Sequence, residues 1–288
     1  MGEGNITFGQ ITDIKELVPF IESKELNHQN YCHYSSLDSV NKILKNKFII
    51  FSSLQYCNDK VEIESDPDCN TFVLCFSALY SENLPMWYLY GGVKGKGARI
   101  TYSKKIFSLF VNDFMKGNFK FYLVKRNKQG DLDIQREITP IDKSYGDVIY
   151  LSKDEYSDTA RLKYNTHTNN NFDIDQYDSI RKQFNGKCKE LPWFYEKEFR
   201  LIIKVNDEIA ETVNKKDSDY KIAMEFKKDF FKDINIMVAP EFEKVNEYLS
   251  KNLDKYEGIK EYTISKVLES AYCGKIKMNL CNRCEHNN

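Results

Sequence analysis

Four short segments of this chain combine residue types that can do chemistry, and each also has a plain structural explanation. The first is Trp193-Phe194-Tyr195-Glu196-Lys197-Glu198-Phe199-Arg200. Carboxylates at i and i+2 opening a strand would face the same side. Two acids sharing a dry site push at least one pKa upward, which suits proton transfer or stabilisation of a developing cation. A solvated Glu-Lys-Glu turn fits the same letters, because Lys and Glu are seldom buried. The second is His33-Tyr34-Ser35-Ser36, where a strand ends and a helix starts. Such a junction aims free backbone N–H groups at a ligand, and an imidazole both donates to and accepts from sugar hydroxyls. A structural histidine followed by a helix cap looks identical. The third is Phe76-Ser77 followed by Met86-Trp87-Tyr88-Leu89-Tyr90: a hydroxyl leaving a strand, then flat rings that can stack on a heterocycle or simply pack beneath a sheet. The fourth is Cys281-x-x-Cys284, with Cys273 before it and His286 after it. One Cys-x-x-Cys pair, with Cys284 and His286 two residues apart, is a poor tetrahedral set. Free thiols, not zinc, are expected there, and no other metal site is expected.

These residues need elements to hold them. Strands are predicted at 30–34, 48–52, 71–77, 98–102, 119–125, 147–151, 199–205 and 234–238, with a short one at 261–264. Helices are predicted over 11–24, from Ser35-Ser36 onward with Leu37, Val40, Ile43 and Leu44 on its apolar face, over 82–90, and over 178–185 and 241–253. A further helix over 104–118 should turn Ile106, Leu109, Phe110 and Phe114 inward. The polar stretch 127–140 reads as a loop and 165–171 as an exposed insertion. Strands and helices alternate without a βαβ period, which predicts a mixed α+β domain over 1–272, a central split sheet flanked by helices, and a Cys-containing tail over 273–288.

Composition narrows the classes of function. In 288 residues, 41% are apolar and 14% aromatic, enough for a packed core. Lys plus Arg number 42 against 43 Asp plus Glu, so no global basic field is available for a polyanion. A local cluster from Lys104 to Lys128 holds seven cations, more in keeping with a solvated face than a nucleic-acid groove. No apolar stretch approaches the ~20 residues of a membrane helix, and the start of the chain has no signal-peptide pattern. Eight scattered cysteines fit reduced thiols in a cytoplasmic protein without a membrane role. No glycine pattern follows a strand in the way a dinucleotide-binding fingerprint requires.

Taken in order, the motifs resemble a widespread bacterial family, domain-of-unknown-function family 2971. The resemblance rests on His33-Tyr34-Ser35-Ser36, Asn58-Asp59-Lys60-Val61-Glu62, Cys75-Phe76-Ser77, Met86-Trp87 with Tyr90 and Gly91, and Lys189, Trp193 and Tyr195-Glu196-Lys197-Glu198-Phe199-Arg200. It runs from about residue 30 to 270. Lys60-Val61 replaces a Pro-Phe pair and Phe199 replaces a Trp. Segment 103–190 is longer than in the family and has the character of an insertion. That family in turn resembles the ADP-ribosyltransferase superfamily. The resemblance implies NAD as substrate, Glu198 as the catalytic acid and Glu196 as its target-orienting partner. It also implies that His33 anchors a ribose, that Ser77 supports the pocket, and that Tyr34, Trp87 and Tyr90 hold the nicotinamide or its ribose. Implied further are a bacterial toxin or anti-phage effector, a protein or nucleic-acid acceptor, and an antitoxin or defence-system partner. NAD hydrolysis, with water as acceptor, and a non-enzymatic binding or sensor module on the same fold are the alternatives.

Overall fold

Two buried apolar runs, Thr71–Ser77 and Phe199–Lys204, pair along their length and anchor everything else. The computed structural model describes residues 7–22, 26–79, 81–90, 97–128, 130–154, 158–226, 228–231, 234–239 and 259–264. In chain order, helix α1 (Ile14–Glu22) precedes β1 (Asn30–Ser36), α2 (Leu37–Asn46), β2 (Phe48–Ser53), α3 (Lys60–Ser65), β3 (Thr71–Ser77), α4 (Leu84–Tyr90) and β4 (Gly97–Ser103). Then follow α5 (Lys104–Met115), β5 (Phe121–Arg126), β6 (Leu132–Ile138), β7 (Asp142–Asp147), β8 (Ile149–Lys153), β9 (Thr159–Tyr164) and β10 (His167–Asp173). The remainder is α6 (Tyr177–Gln183), β11 (Cys188–Glu190), β12 (Glu198–Lys204), α7 (Asp207–Asn214), β13 (Tyr220–Glu225), β14 (Ile234–Val238) and β15 (Ile259–Ile264). The architecture is mixed α+β, a largely antiparallel sheet system with helices packed against it. Among the described residues no helix is long and apolar enough to cross a membrane.

The central sheet is split. One edge of β3 pairs with β12 from Ser77↔Glu198 to Thr71↔Lys204. The other edge is shared: β1 meets it at Cys32↔Ser77, and β2 meets it at Ser52↔Val73 and Ser53↔Phe72. Beyond these pairs the two strands diverge, β1 toward β4, β14 and β15, and β2 toward β13, β5 and β6. Helix α2 is the wedge between them. Its N-terminus is capped by Ser36, whose hydroxyl accepts from the Ser39 N–H at 3.1 Å. Leu37, Val40, Ile43 and Leu44 are buried beneath it, as its periodicity predicts. A left-handed Lys47 (φ 61°) ends the helix and turns the chain into β2.

The main core is aromatic. Tyr31 stacks on Phe107 with ring centroids 3.8 Å apart, and Phe107 meets Phe76 at 4.8 Å and Phe199 at 5.4 Å. Helix α5 buries Phe107, Phe110, Val111 and Phe114. The predicted face was therefore rotated. Phe110 and Phe114 point inward, but Leu109 is exposed and Ile106 only borders the core, because the i, i+3, i+4, i+7 stripe starts at Phe107.

Two further expectations are corrected. The polar stretch 127–140 contains β6, an edge strand exposed at Asp133–Glu137, whose apolar alternation at Leu132, Ile134 and Ile138 is broken by Arg136. The stretch 165–171 contains most of β10. Asn169 is buried in it because its amide donates to the Phe8 and Ile11 carbonyls at 2.6 and 2.7 Å. β10, β9, β8 and β11 form a second sheet, packed on α1 and α6 in a separate apolar cluster. The predicted helix over 241–253 and the tail with Cys273, Cys281, Cys284 and His286 lie outside the described residues. The five described cysteines, Cys32, Cys57, Cys69, Cys75 and Cys188, are free thiols.

Candidate active site

Where β1 and β2 part, the sheet opens into a cavity of about 450 Å3, within the range of small-ligand pockets. His33 and Tyr34 of β1, Ser77 of β3, Tyr90 of α4, and Glu196 and Glu198 all line it. The early imidazole and the late acid pair thus face one crevice.

The acid pair is built differently from the strand alternation expected of it. Only Glu198 lies in β12. Glu196 ends a six-residue 3-10 helix, Leu191–Glu196, and Lys197 between them is left-handed (φ 45°). This turn, not a pleat, brings the two carboxylates to the same place. Ser77 holds the turn by donating its hydroxyl to the Glu196 carbonyl at 2.7 Å. The Ala78 N–H binds the Lys197 carbonyl at 2.7 Å, and the Glu198 N–H donates to the Tyr150 hydroxyl at 2.8 Å.

Five buried charged side chains meet here: Lys189 from β11, Glu196, Glu198 and Arg200, which line the cavity, and Glu62 from α3, which pairs with two of them. Lys189 Nζ is 2.5 Å from Glu196 Oε2, 3.2 Å from Glu198 Oε2 and 3.8 Å from Glu62 Oε2. Arg200 donates to Glu198 Oε2 at 2.8 Å, to the Gly186 carbonyl at 2.9 Å and to Glu62 Oε1. Gly186 (φ 76°) is needed there, since a Cβ would lie 3.3 Å from Ile202 in a backbone shape that L side chains rarely adopt. The Tyr90 hydroxyl donates to Glu196 Oε1.

The environment drives the two acids apart. Burial pushes Glu198 up, but the adjacent Arg200 and Lys189 outweigh it and hold the carboxyl well below the usual range. Burial and the charge of Glu198 raise Glu196, and Lys189 and Tyr90 offset this only in part. Burial also raises Glu62, against Arg200 and Lys189. Lys189 and Arg200 are disfavoured by burial yet stay charged, because Glu198 and Glu62 surround both. Glu198 is thus the ionised member and Glu196 the one biased toward holding a proton, a division that fits acid and base roles. A phenol oxygen both donates and accepts, so Tyr90 can serve either state of Glu196.

His33 Nδ1 lies 3.0 Å from the Cys75 carbonyl. A carbonyl only accepts, so Nδ1 carries the proton and Nε2 of the neutral ring is an acceptor. Burial lowers the pKa of His33, the carbonyl opposing, which favours that neutral form. The Tyr34 hydroxyl accepts from Arg99 at 3.2 Å. Trp87 is placed differently from the other aromatic candidates. It packs edge-on to Tyr34 at 4.9 Å in a buried cluster with Cys32 and Met86, and it is not among the cavity-lining residues.

Sequence reasoning gave no role to Glu62, Cys75, Lys189 or Arg200. All four stand within the motifs quoted above, so their positions were visible but their convergence was not. Cys75 is signalled by alternation, since it shares a face of β3 with Ser77 and sits in register with Arg200.

Residues 86–201 match a family described as a protein of unknown function (DUF2971). Tyr90, Lys189, Glu196, Glu198 and Arg200 fall inside that span, and the chain resembles this family as its motifs led us to expect. No curated protein matches the chain. Solved structures of DarT from Thermus sp. 2.9 are also similar. One, in complex with NAD+, is 12% identical, covering 84% of this chain and 98% of that chain, with a TM-score of 0.34. Another, in complex with ADP-ribosylated ssDNA, is 11% identical, covering 83% and 95%, with a TM-score of 0.33.

Proposed function

We propose that this protein is an NAD-consuming, ADP-ribosyltransferase-like enzyme whose residues 1–272 form the catalytic domain. One observation carries the reading: Glu198, Glu196 and His33, brought from distant parts of the chain, line the same cavity at the split of the sheet. Cleavage of NAD breaks the bond between C1′ of the ribose and the nicotinamide nitrogen. The electron pair leaves with nicotinamide, and positive charge spreads over C1′ and the ring oxygen. A fixed carboxylate beside the ribose stabilises that charge, as carboxylates do in glycoside cleavage. Glu198 is the residue for that work. His33 Nε2 accepts from a ribose hydroxyl, and Tyr34 and Tyr90 wall the nicotinamide side. An acceptor nucleophile then bonds to C1′, and Glu196 takes its proton when the carboxyl is in its ionised state. Trp87 acts from behind by backing Tyr34.

The acceptor is a macromolecule, protein or nucleic acid, and the chain's role is that of a toxin or anti-phage effector in the cytoplasm, restrained by an antitoxin or defence-system partner. NAD hydrolysis differs only in using water as acceptor. The test is incubation of purified protein with labelled NAD and with protein, RNA or DNA acceptors. Nicotinamide release with label on a macromolecule is expected, and Glu198→Gln should lower the rate about 10²–10³-fold. Free ADP-ribose alone would establish the hydrolase. No release by the wild type would refute the reading.

A further inference from the structure

The two carboxylates of the acid pair have one cation in common. Arg200 reaches Glu198 and Glu62 but has no contact with Glu196. Lys189 touches all three, at 2.5 Å to Glu196, 3.2 Å to Glu198 and 3.8 Å to Glu62. It is buried, it lines the same cavity, and its ammonium lies 5.0 Å from the centroid of Trp193. Its strand, β11, belongs to the second sheet, where it pairs in parallel with β8. The ammonium therefore reaches the acid pair from a different sheet than the one that carries Glu198.

The surroundings explain why a single ammonium matters so much. The titratable and charged groups within its electrostatic reach are Cys57, Glu62 of α3, Tyr90 of α4, Tyr150 of β8, Tyr195, and Glu196, Glu198 and Arg200. With all acids ionised, three anions oppose two cations among buried side chains. With one proton on Glu196, two anions oppose two cations. Lys189 is the cation whose removal would leave the Glu196 carboxylate, among the described residues, with the Tyr90 hydroxyl as its remaining hydrogen-bond partner. Glu198 would keep Arg200. Loss of Lys189 therefore does not weaken the two acids equally. It removes the contact that fixes their spacing and the charge that lets one be ionised beside the other.

We propose that Lys189 is a positioning residue for the acid pair: it clamps Glu196 and Glu198 side by side and divides the acid and base roles between them. The proposal rests on the NAD-cleaving reading of the site and deepens it. Lys189 takes no part in bond making or breaking. It sets the geometry and charge of the groups that do.

The experiment measures nicotinamide release from NAD across pH for the wild type and for Lys189→Met, Lys189→Arg, Glu196→Gln and the double variant Lys189→Met/Glu196→Gln. Lys189→Met should lower kcat about 10²-fold or more, in the range seen when one preorganised electrostatic partner is lost, with KM changed less than threefold. The acid limb of its pH profile should move upward, since Glu198 then protonates more easily. Lys189→Arg should recover at least tenfold. The double variant should lose less than the product of the two single losses, because Glu196→Gln already removes the carboxyl group that Lys189 clamps. A multiplicative double variant, a loss confined to KM, or no recovery with Arg would overturn the proposal. If Lys189→Met does not fold, the Arg and double variants still decide it. If the wild type releases no nicotinamide, the NAD reading fails by itself. The clamp is then judged by a carboxyl NMR titration of 13C-labelled glutamates, where two widely separated titrations in the wild type should draw together in Lys189→Met. Unchanged separation would overturn it.

Discussion

Strand β12 buries two opposite chemistries on its two faces. Phe199, Leu201 and Ile203 point into the aromatic core with Tyr31, Phe76 and Phe107. Glu198 and Arg200, one residue out of phase, point to the cavity and pair with Lys189 and Glu62, and Ile202 continues that face into a small cluster with Leu54 and Val73. Both faces are buried, but they respond to damage differently. On the apolar face each side chain contributes mainly through the area and volume it fills, so a deletion costs what that side chain supplied, plus a cavity. On the polar face no charge is tolerable alone, so the cost of a deletion falls on the partners left behind. The first face tolerates gradual change. The second is close to all-or-none, and that rigidity is what a reactive carboxylate needs.

The contrast is tested most severely at Arg200, which is buried and joined to Glu62, Glu198 and the Gly186 carbonyl. Arg200→Met should lose about 3–5 kcal/mol in urea unfolding, because it strands two acids on one lysine. Adding Glu62→Gln should return at least about 1 kcal/mol of that loss, as expected for a coupled pair. If the two losses simply add, the polar face is no network and the distinction between the faces fails.

A somewhat smaller effect is expected across the strand. Leu201, fully buried, should cost about 3 kcal/mol on replacement by Ala. The penalty should be the same at pH 5 and pH 8, since no proton is involved. The penalty at Arg200 should differ between those two pH values. Equal pH dependence in both variants would mean that the two faces are not electrostatically distinct.

The same contrast explains what could be read from the sequence. The apolar runs FVLCF and FRLIIKV announce β3 and β12 because burial on both faces leaves few polar letters. The exposed edge strand β6 carries the opposite composition and reads as a loop. Asn169 misleads for a related reason: its type suggests surface, yet two backbone carbonyls satisfy it in the interior. At the site, His33, Ser77, Glu196 and Glu198 stand out because motifs mark them. Lys189 and Glu62 lie in quoted motifs too, but their role is hidden, because the partners that bury them come from elements far apart in the chain. Nor does local spacing reveal that Glu196 and Glu198 meet through a left-handed Lys197; two residues of β pleat give the same letters. Trp87 shows the converse, a conspicuous aromatic whose ring ends up behind the cavity wall.

The smallest expected effect bears most directly on the polar face. Glu196 has a folded-state pKa raised above its unfolded value, by burial first and then by Glu198. A raised acid contributes stability that is complete below the unfolded pKa, ~4.3 for Glu, and that is lost as pH rises through the folded value. Glu198 is depressed by Arg200 and Lys189 despite its burial, so its contribution is present above the unfolded value and is lost as pH falls through the folded one. The two slopes are opposite in sign. Glu196→Gln keeps a carbonyl oxygen for Tyr90 and Lys189 but removes the first slope. Measured by urea unfolding from pH 4.5 to 7, the variant should therefore gain on the wild type as pH rises, at no more than about 1.4 kcal/mol per pH unit, the limit for one proton. A constant difference between the two proteins across that range would mean that Glu196 takes up no extra proton on folding. The polar face would then be a fixed ion network, with no acid poised to exchange a proton beside Glu198.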